Sequence, residues 1–166
     1  MIFFETEHLI FRRFELRDLD KLAEITADED VNRYVGEGPI TKEKTEEWIE
    51  KSRDNIARFG YGTGAVLEKS TNDLIGWAGI GRSADDNGLE EVVYGFDRSH
   101  WRLGLGSELL AGLVLWSKET LGLNALRATV YPQNTVSIRL LLRQGFVLVD
   151  SCYGGDPNTH LYVKQL

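Results

Sequence analysis

Trp101-Arg102-Leu103-Gly104-Leu105-Gly106-Ser107-Glu108 is the stretch on which the reading of the fold turns. It stands between a run that alternates as a strand, Leu89 to Phe96, and an apolar run with helical spacing, Ser107 to about Leu121. Two closely spaced glycines let the backbone approach a ligand with no Cβ in the way. The N-terminus of the following helix presents free N–H groups and a partial positive charge, which suits the turn to a pyrophosphate. Three readings compete. The turn is not a Walker loop, since no Gly-Lys-Ser/Thr closes it. It is a poor dinucleotide fingerprint, because the third glycine would fall at Leu109 and no acid about 20 residues on closes a parallel βαβ unit. Asn124 and Arg127 occupy that neighbourhood instead. A plain tight turn is the third reading.

Outward from this stretch, the chain alternates between two periods. His8 to Phe14 suggests a strand through Ile10, Phe11 and Phe14. Leu16 to Ala27 switches to a helical stripe of Leu19, Leu22, Ala23 and Ile25, with Asp18 placed for its N-terminus. Gly36-Glu37-Gly38-Pro39 is a break, and Thr41 is placed to cap a second helix, Lys42 to about Phe59. Ala65-Val66-Leu67 and Leu74 to Ile80 read as a hairpin around the turn cluster 70–73, and Ser83 to Gly88 as a polar loop. Beyond the apolar helix, Gly122 sits well as its C′ residue. Leu126 to Tyr131 alternates and stops at Pro132; Asn134 can cap a short helix carrying Ile138, Leu141 and Leu142. Phe146 to Val149 and Leu161 to Val163 are the last strands. This order implies one mixed α/β (α+β) domain over residues 1–166, with no repeat or linker.

Composition bounds the function. The 166 residues carry 42% apolar and 27% charged types, enough for a packed core in a single domain. A net charge of −7 argues against a duplex nucleic-acid partner, which needs a basic face. The single cysteine, Cys152, excludes an internal disulfide and a cysteine-based zinc site, and the three histidines show no metal spacing, so no metal is expected. No apolar run approaches the ~18 residues of a membrane span and none resembles a signal peptide, so a cytoplasmic protein is expected. The charge is uneven. Asp28 to Glu50 holds eight acids and three bases, whereas Arg98 to Arg143 holds six bases and two acids. Solvated helical faces would give this pattern, and so would one half meeting a cation and the other an anion.

Tyr94-Gly95-Phe96-Asp97 through Gly106 resembles the acyl-CoA-binding motif of the GNAT superfamily of N-acetyltransferases, Gln/Arg-x-x-Gly-x-Gly/Ala at the start of a central helix. Trp101 stands where Gln or Arg is commonest, as in the ribosomal-protein-N-acetyltransferase-like (RimJ/RimL-like) branch. Asn134-x-x-Ser137 followed by Gly145-Phe146 is a second match. Leu9-Ile10-Phe11-Arg12 followed by Leu16-Arg17-Asp18-Leu19-Asp20 is a third. The resemblance spans roughly residues 7 to 150. It implies a mostly antiparallel sheet, splayed between Leu89–Phe96 and Leu126–Tyr131 to admit acetyl-CoA. It further implies that backbone near Phe96 holds the pantetheine arm. The amides of Arg102, Leu103, Gly104, Leu105, Gly106 and Ser107 would hold the pyrophosphate, and Asn134 would contact the cofactor.

Transfer of an acetyl group to an amine needs a free-base amine, a stabilised oxyanion and a partner for the leaving thiolate. Glu91, on the strand expected beside the thioester, is the candidate base. Glu90 is its rival, since neighbouring strand residues face opposite sides, and an exposed structural carboxylate is the competing role for both. Many superfamily members carry a tyrosine seven residues after the Asn134 equivalent; here that position is Leu141. Ser137 is the replacement suggested by the branch, against a structural role at the helix start. Tyr131 and Tyr153 are fallback donors. The acceptor is expected over the first two helices, near Tyr34, Trp77 and Tyr94, with core packing the competing role for Trp48 and Trp77. An acidic rim there would draw a protein N-terminus, a polyamine or an aminoglycoside. An acyl-CoA-binding sensor without chemistry is the non-enzymatic alternative. A homodimer would use exposed apolar residues near Tyr153 or the C-terminal strands.

Overall fold

The computed structural model describes residues 1–35, 38–82 and 89–166. Residues 36 and 37 of the expected break, and the polar loop 83–88, lie outside the described residues. The described chain forms an eight-stranded sheet in the order β1-β2-β3-β4-β5-β6-β8-β7. Its strands are β1 (Ile2–Glu5), β2 (Leu9–Arg12), β3 (Thr63–Glu68), β4 (Leu74–Arg82), β5 (Glu90–Phe96), β6 (Ala125–Val130), β7 (Val147–Asp150) and β8 (His160–Gln165). Five α-helices accompany them among the described residues: α1 (Leu19–Ala27), α2 (Glu29–Asn32), α3 (Lys42–Phe59), α4 (Leu105–Glu119) and α5 (Thr135–Arg143). Among the described residues no helix is long and apolar enough to cross a membrane.

Each face of the sheet buries its own core. Leu109, Leu110, Leu113 and Trp116 of α4 pack with Phe11, Ile80, Val92 and Leu126 on one side. Leu22 and Ile25 of α1 and Ile49 of α3 pack with Phe14, Ala65, Leu67 and Trp77 on the other. The split follows from the period of two along each strand: Val92 and Phe96 face α4, while Val93 joins the α1/α3 side.

Two elements go beyond the sequence reading. β1 is too short to display a period, yet its Phe4 lies against Gly112 of α4, where a Cβ would sit 2.5 Å from the ring. The single turn α2 is started by Asp28, whose carboxylate accepts from the backbone of Asp30 at 2.8 Å. α4 begins two residues earlier than the apolar spacing suggests, so Gly106 is helical and Gly104 is the N-cap, with φ of 79°. Gly122 adopts left-handed φ, but the helix ends at Glu119 and the glycine falls in the turn beyond. Thr41 caps α3 and Asn134 caps α5, each accepting a backbone N–H three residues on, from Lys44 and Ser137.

Asp18 stands at the N-cap of α1 without capping it by its side chain. Its carboxylate is claimed by Arg12, in two N–H···O bonds of 2.8 Å, and by the backbone N–H of Glu15 at 2.7 Å. Both side chains are almost fully buried. The neighbouring carboxylate holds the Arg12 guanidinium protonated, its pKa raised chiefly by the Asp18 bonds. A buried charge must be paired, and this pairing outweighs one cap. The pair ties β2 to the turn that launches α1. Asp18→Ala would leave Arg12 buried and uncompensated, and is expected to cost about 3–5 kcal/mol of stability in urea denaturation.

Candidate active site

β5 and β6 run parallel but pair only at Glu90–Leu126 and Glu91–Arg127. Beyond this point each strand is satisfied on its outer edge, β5 by β4 and β6 by β8. Asp97 donates to Ile75 at 2.8 Å, which sets the phase of the β4–β5 ladder. In that phase Val92, Tyr94 and Phe96 turn their backbone groups toward the gap. The Phe96 carbonyl accepts the indole N–H of Trp101 at 3.0 Å.

The gap opens into a cavity of about 780 Å³. Glu91, Tyr94, Phe96, Arg102, Gly104, Leu105, Gly106, Ser107, Asn134, Ser137, Tyr34 and Trp77 all line it. Leu103, expected in the same turn, does not, being 63% exposed, and neither do Glu90, Tyr153 and Trp48. Arg102 has φ of 63°, and with Gly104 also left-handed the chain doubles back into the helix start. The amides of Leu105, Gly106 and Ser107 precede the first helical bond, from Glu108 to Gly104 at 3.3 Å, and so have no intrahelical acceptor. Gly106 also packs tightly on α5; a Cβ there would lie 3.0 Å from Leu140.

The two strand carboxylates separate as alternation requires. Glu90 accepts a hydrogen bond from Tyr61 outside the cavity, and burial, then this partner, push the Tyr61 hydroxyl up to about 12. Glu91 reaches across the gap instead. It accepts from the Thr129 backbone N–H at 3.1 Å and from the Thr129 hydroxyl, and lies 3.4 Å from Arg127. Arg127 also donates to the Tyr153 hydroxyl at 2.8 Å. Glu91 thus bridges β5 and β6 where they part. On the other face of β5 the hydroxyls of Tyr94 and Ser137 lie 2.9 Å apart. Burial raises the Tyr94 pKa, against an opposing pull from Ser137.

Trp77 lies across Gly95, its partner in the ladder; a Cβ on Gly95 would come within 2.8 Å of the indole. Trp48 meets Trp77 edge-on at 5.2 Å. Trp77 is therefore both core and cavity wall. Among the described acids between residues 28 and 50, only Asp30 lines the cavity, and the α3 glutamates face solvent. Arg98 pairs with Asp30 at 2.7 Å and Asp28 at 3.2 Å, joining α2 to the turn before the glycines.

The sequence reading missed the Glu91–Thr129–Arg127–Tyr153 chain, the Tyr94–Ser137 pair, and α2 as a wall. The hydroxyls of Tyr131 and Tyr153 are the partial signal that the sequence carries for them. Tyr131 meets Tyr34 at 6.4 Å across the cavity mouth.

One cavity thus joins a parted parallel strand pair, a helix N-terminus and a carboxylate. Comparison with known proteins gives the class. Residues 8–147 match the acetyltransferase (GNAT) domain family. An uncharacterized N-acetyltransferase, p20, from Bacillus licheniformis is 32% identical over 137 residues, covering 82% of this chain and 77% of that protein. The crystal structure of an acetyltransferase from Agrobacterium tumefaciens str. C58 superposes with a TM-score of 0.85 at 26% identity, covering 98% of this chain and 94% of that one. RimL, a ribosomal L7/L12 alpha-N-protein acetyltransferase solved with coenzyme A, shares the fold with a TM-score of 0.84 at 15% identity, covering 100% of this chain and 98% of that one. The chain belongs to the GNAT acetyltransferase family and is an acyltransferase.

Gly95→Ala is expected to push Trp77 off the strand. Overpacking of this kind costs about 1–3 kcal/mol. Urea denaturation and a shifted tryptophan emission in the folded protein would report it together.

Proposed function

We propose that this enzyme moves an acetyl group from acetyl-CoA directly to a primary amine, with a protein or peptide N-terminus as the acceptor. The observation that carries the reading is the joining, in one cavity, of an anion-ready helix start at one end and the Glu91 carboxylate at the other.

The residues fit coenzyme A. The helix-start amides and Arg102 would hold the pyrophosphate, since uncapped N–H groups and a helix dipole favour an anion. Left-handed Gly104 has nothing within 4 Å of its missing Cβ, which leaves this approach open. The backbone groups of Val92 and Tyr94 and the Phe96 N–H would receive the pantetheine arm, and Asn134 stands beside its path. When bound, acetyl-CoA supplies an activated acetyl thioester. Glu91 would accept a proton from the incoming ammonium or hold it beside the thioester. A backbone N–H near Phe96 would face the oxyanion. Ser137 would offer its hydroxyl to the sulfur, in place of the tyrosine that Leu141 replaces.

Charge supports a single amine over a polycation. Asp28 and Asp30 are already engaged by Arg98. The α3 glutamates lie outside the cavity. Among the described residues, the cavity lining adds the aromatic pair Tyr34 and Tyr131, the basic Arg33 and Arg102, and one carboxylate not engaged by Arg98, Glu91. A chain terminus with one ammonium group suits this better than a polyamine or an aminoglycoside.

Thiol release from acetyl-CoA, measured with N-terminal peptides, lysine, a polyamine and an aminoglycoside, tests the assignment. Turnover is expected with peptides. Turnover confined to the small amines would replace the acceptor class, and binding with no turnover on any amine would favour a sensor. Glu91→Gln is expected to lower turnover mainly at low pH, where the amine needs a base most. An unchanged pH–rate profile would reject that role and leave Glu91 as the bridge between strands.

A further inference from the structure

Resting on the acetyltransferase reading, we infer that Tyr94 is a positioning residue: it donates its hydroxyl proton to Ser137, so that the Ser137 proton is directed at the thioester sulfur. The two hydroxyls are 2.9 Å apart and come from different walls, β5 and the first turn of α5. Both side chains line the cavity.

A hydroxyl has one proton to give and two lone pairs. Two arrangements of this pair exist. If Ser137 donated, the phenol proton would need another acceptor, and among the described residues the Tyr94 hydroxyl has no partner but Ser137. If Tyr94 donates, the pair is satisfied and the serine proton is left for a third group in the cavity. Burial keeps Tyr94 protonated, since desolvation penalises the phenolate, so the phenol has a proton to give.

The helix start does not compete for this hydroxyl. The α5 cap uses the Ser137 backbone N–H, which donates to Asn134 Oδ1 at 3.3 Å. Glu91 is on the opposite face of β5 and is engaged by Thr129 and Arg127. Leu141, one turn further along α5, also faces the cavity but carries no polar atom. A lone serine rotor would spread its proton over three staggered directions. The tyrosine removes that freedom before the sulfur leaves, so less reorganisation is needed as charge develops.

The test reads the sulfur directly. The thiolate absorbance of protein-bound CoA is titrated against pH in the wild type, Tyr94→Phe, Ser137→Ala, the double variant and Ser137→Thr. A directed donor stabilises thiolate, so the bound thiol is expected to titrate about one pH unit higher in both single variants. The double variant should go no further than Ser137→Ala, because the two groups act in series. Ser137→Thr, which keeps the hydroxyl, should stay at the wild-type value. With a peptide acceptor, Tyr94→Phe should lower kcat about tenfold while the KM for acetyl-CoA stays within twofold, the loss fitting one hydrogen bond to a charged group. Wild-type thiol titration in Tyr94→Phe overturns the proposal, as do shifts that add in the double variant. A wild-type protein that fails to bind CoA overturns the acetyltransferase reading itself, so the two failures are distinct.

Discussion

The two-residue pairing of β5 with β6 is the constraint on which the rest of this molecule depends. A parallel pair normally continues its ladder, because buried backbone groups left without partners are costly. Here the ladder stops after Glu91 and Arg127, although both strands run on. They can part because each keeps its other neighbour, β4 or β8. Glu91 softens the break by taking the Thr129 backbone N–H. The cost of the parting is the origin of the site, since an unsatisfied strand edge is a template for a ligand with amide groups of its own.

The helices hold the gap open without filling it. α4 starts beneath it on a left-handed glycine, and α5 starts beside it on Asn134. Gly106 lets the start of α4 approach the middle of α5 closely, at Leu140. Two helix N-termini therefore border one cavity. The acidic and basic halves of the chain meet there too. They are fastened together: Arg98, from the basic half, holds the acidic turn Asp28–Asp30. A charge pattern that looks like a field directed at a ligand is partly spent on holding the cavity wall. Half-exposed pairs of this kind bring modest stability, so their main effect is to place α2.

Much of the fold could be read from local chemistry. The span of α3 follows from Thr41 and the spacing of Trp48, Ile49 and Ile56, and α5 follows from Asn134. The glycine turn located the helix start at the site to within two residues. β1 and α2 were not legible, because four residues do not establish a period and their faces are set by partners far along the chain. Asp18 looked like a cap and is the counter-ion of Arg12, since burial of a charge outranks an end effect. Leu103 sits among residues that line the cavity and points away, because the left-handed turn at Arg102 and Gly104 rotates it outward.

By itself the sequence determined the alternation of strands and helices, the glycine turn with its anion-ready helix, and the residue types present for chemistry. Periods of two and 3.6 and the caps that end them act over a few residues, so they are written locally. Only the tertiary structure decided which of these residues meet. Glu91 finds Thr129 across 38 positions, Tyr94 finds Ser137 across 43, and Arg98 finds Asp30 across 68. Contacts of that range depend on where the sheet parts and how the helices seat against it. No local pattern encodes them, because they are fixed by packing of the whole chain.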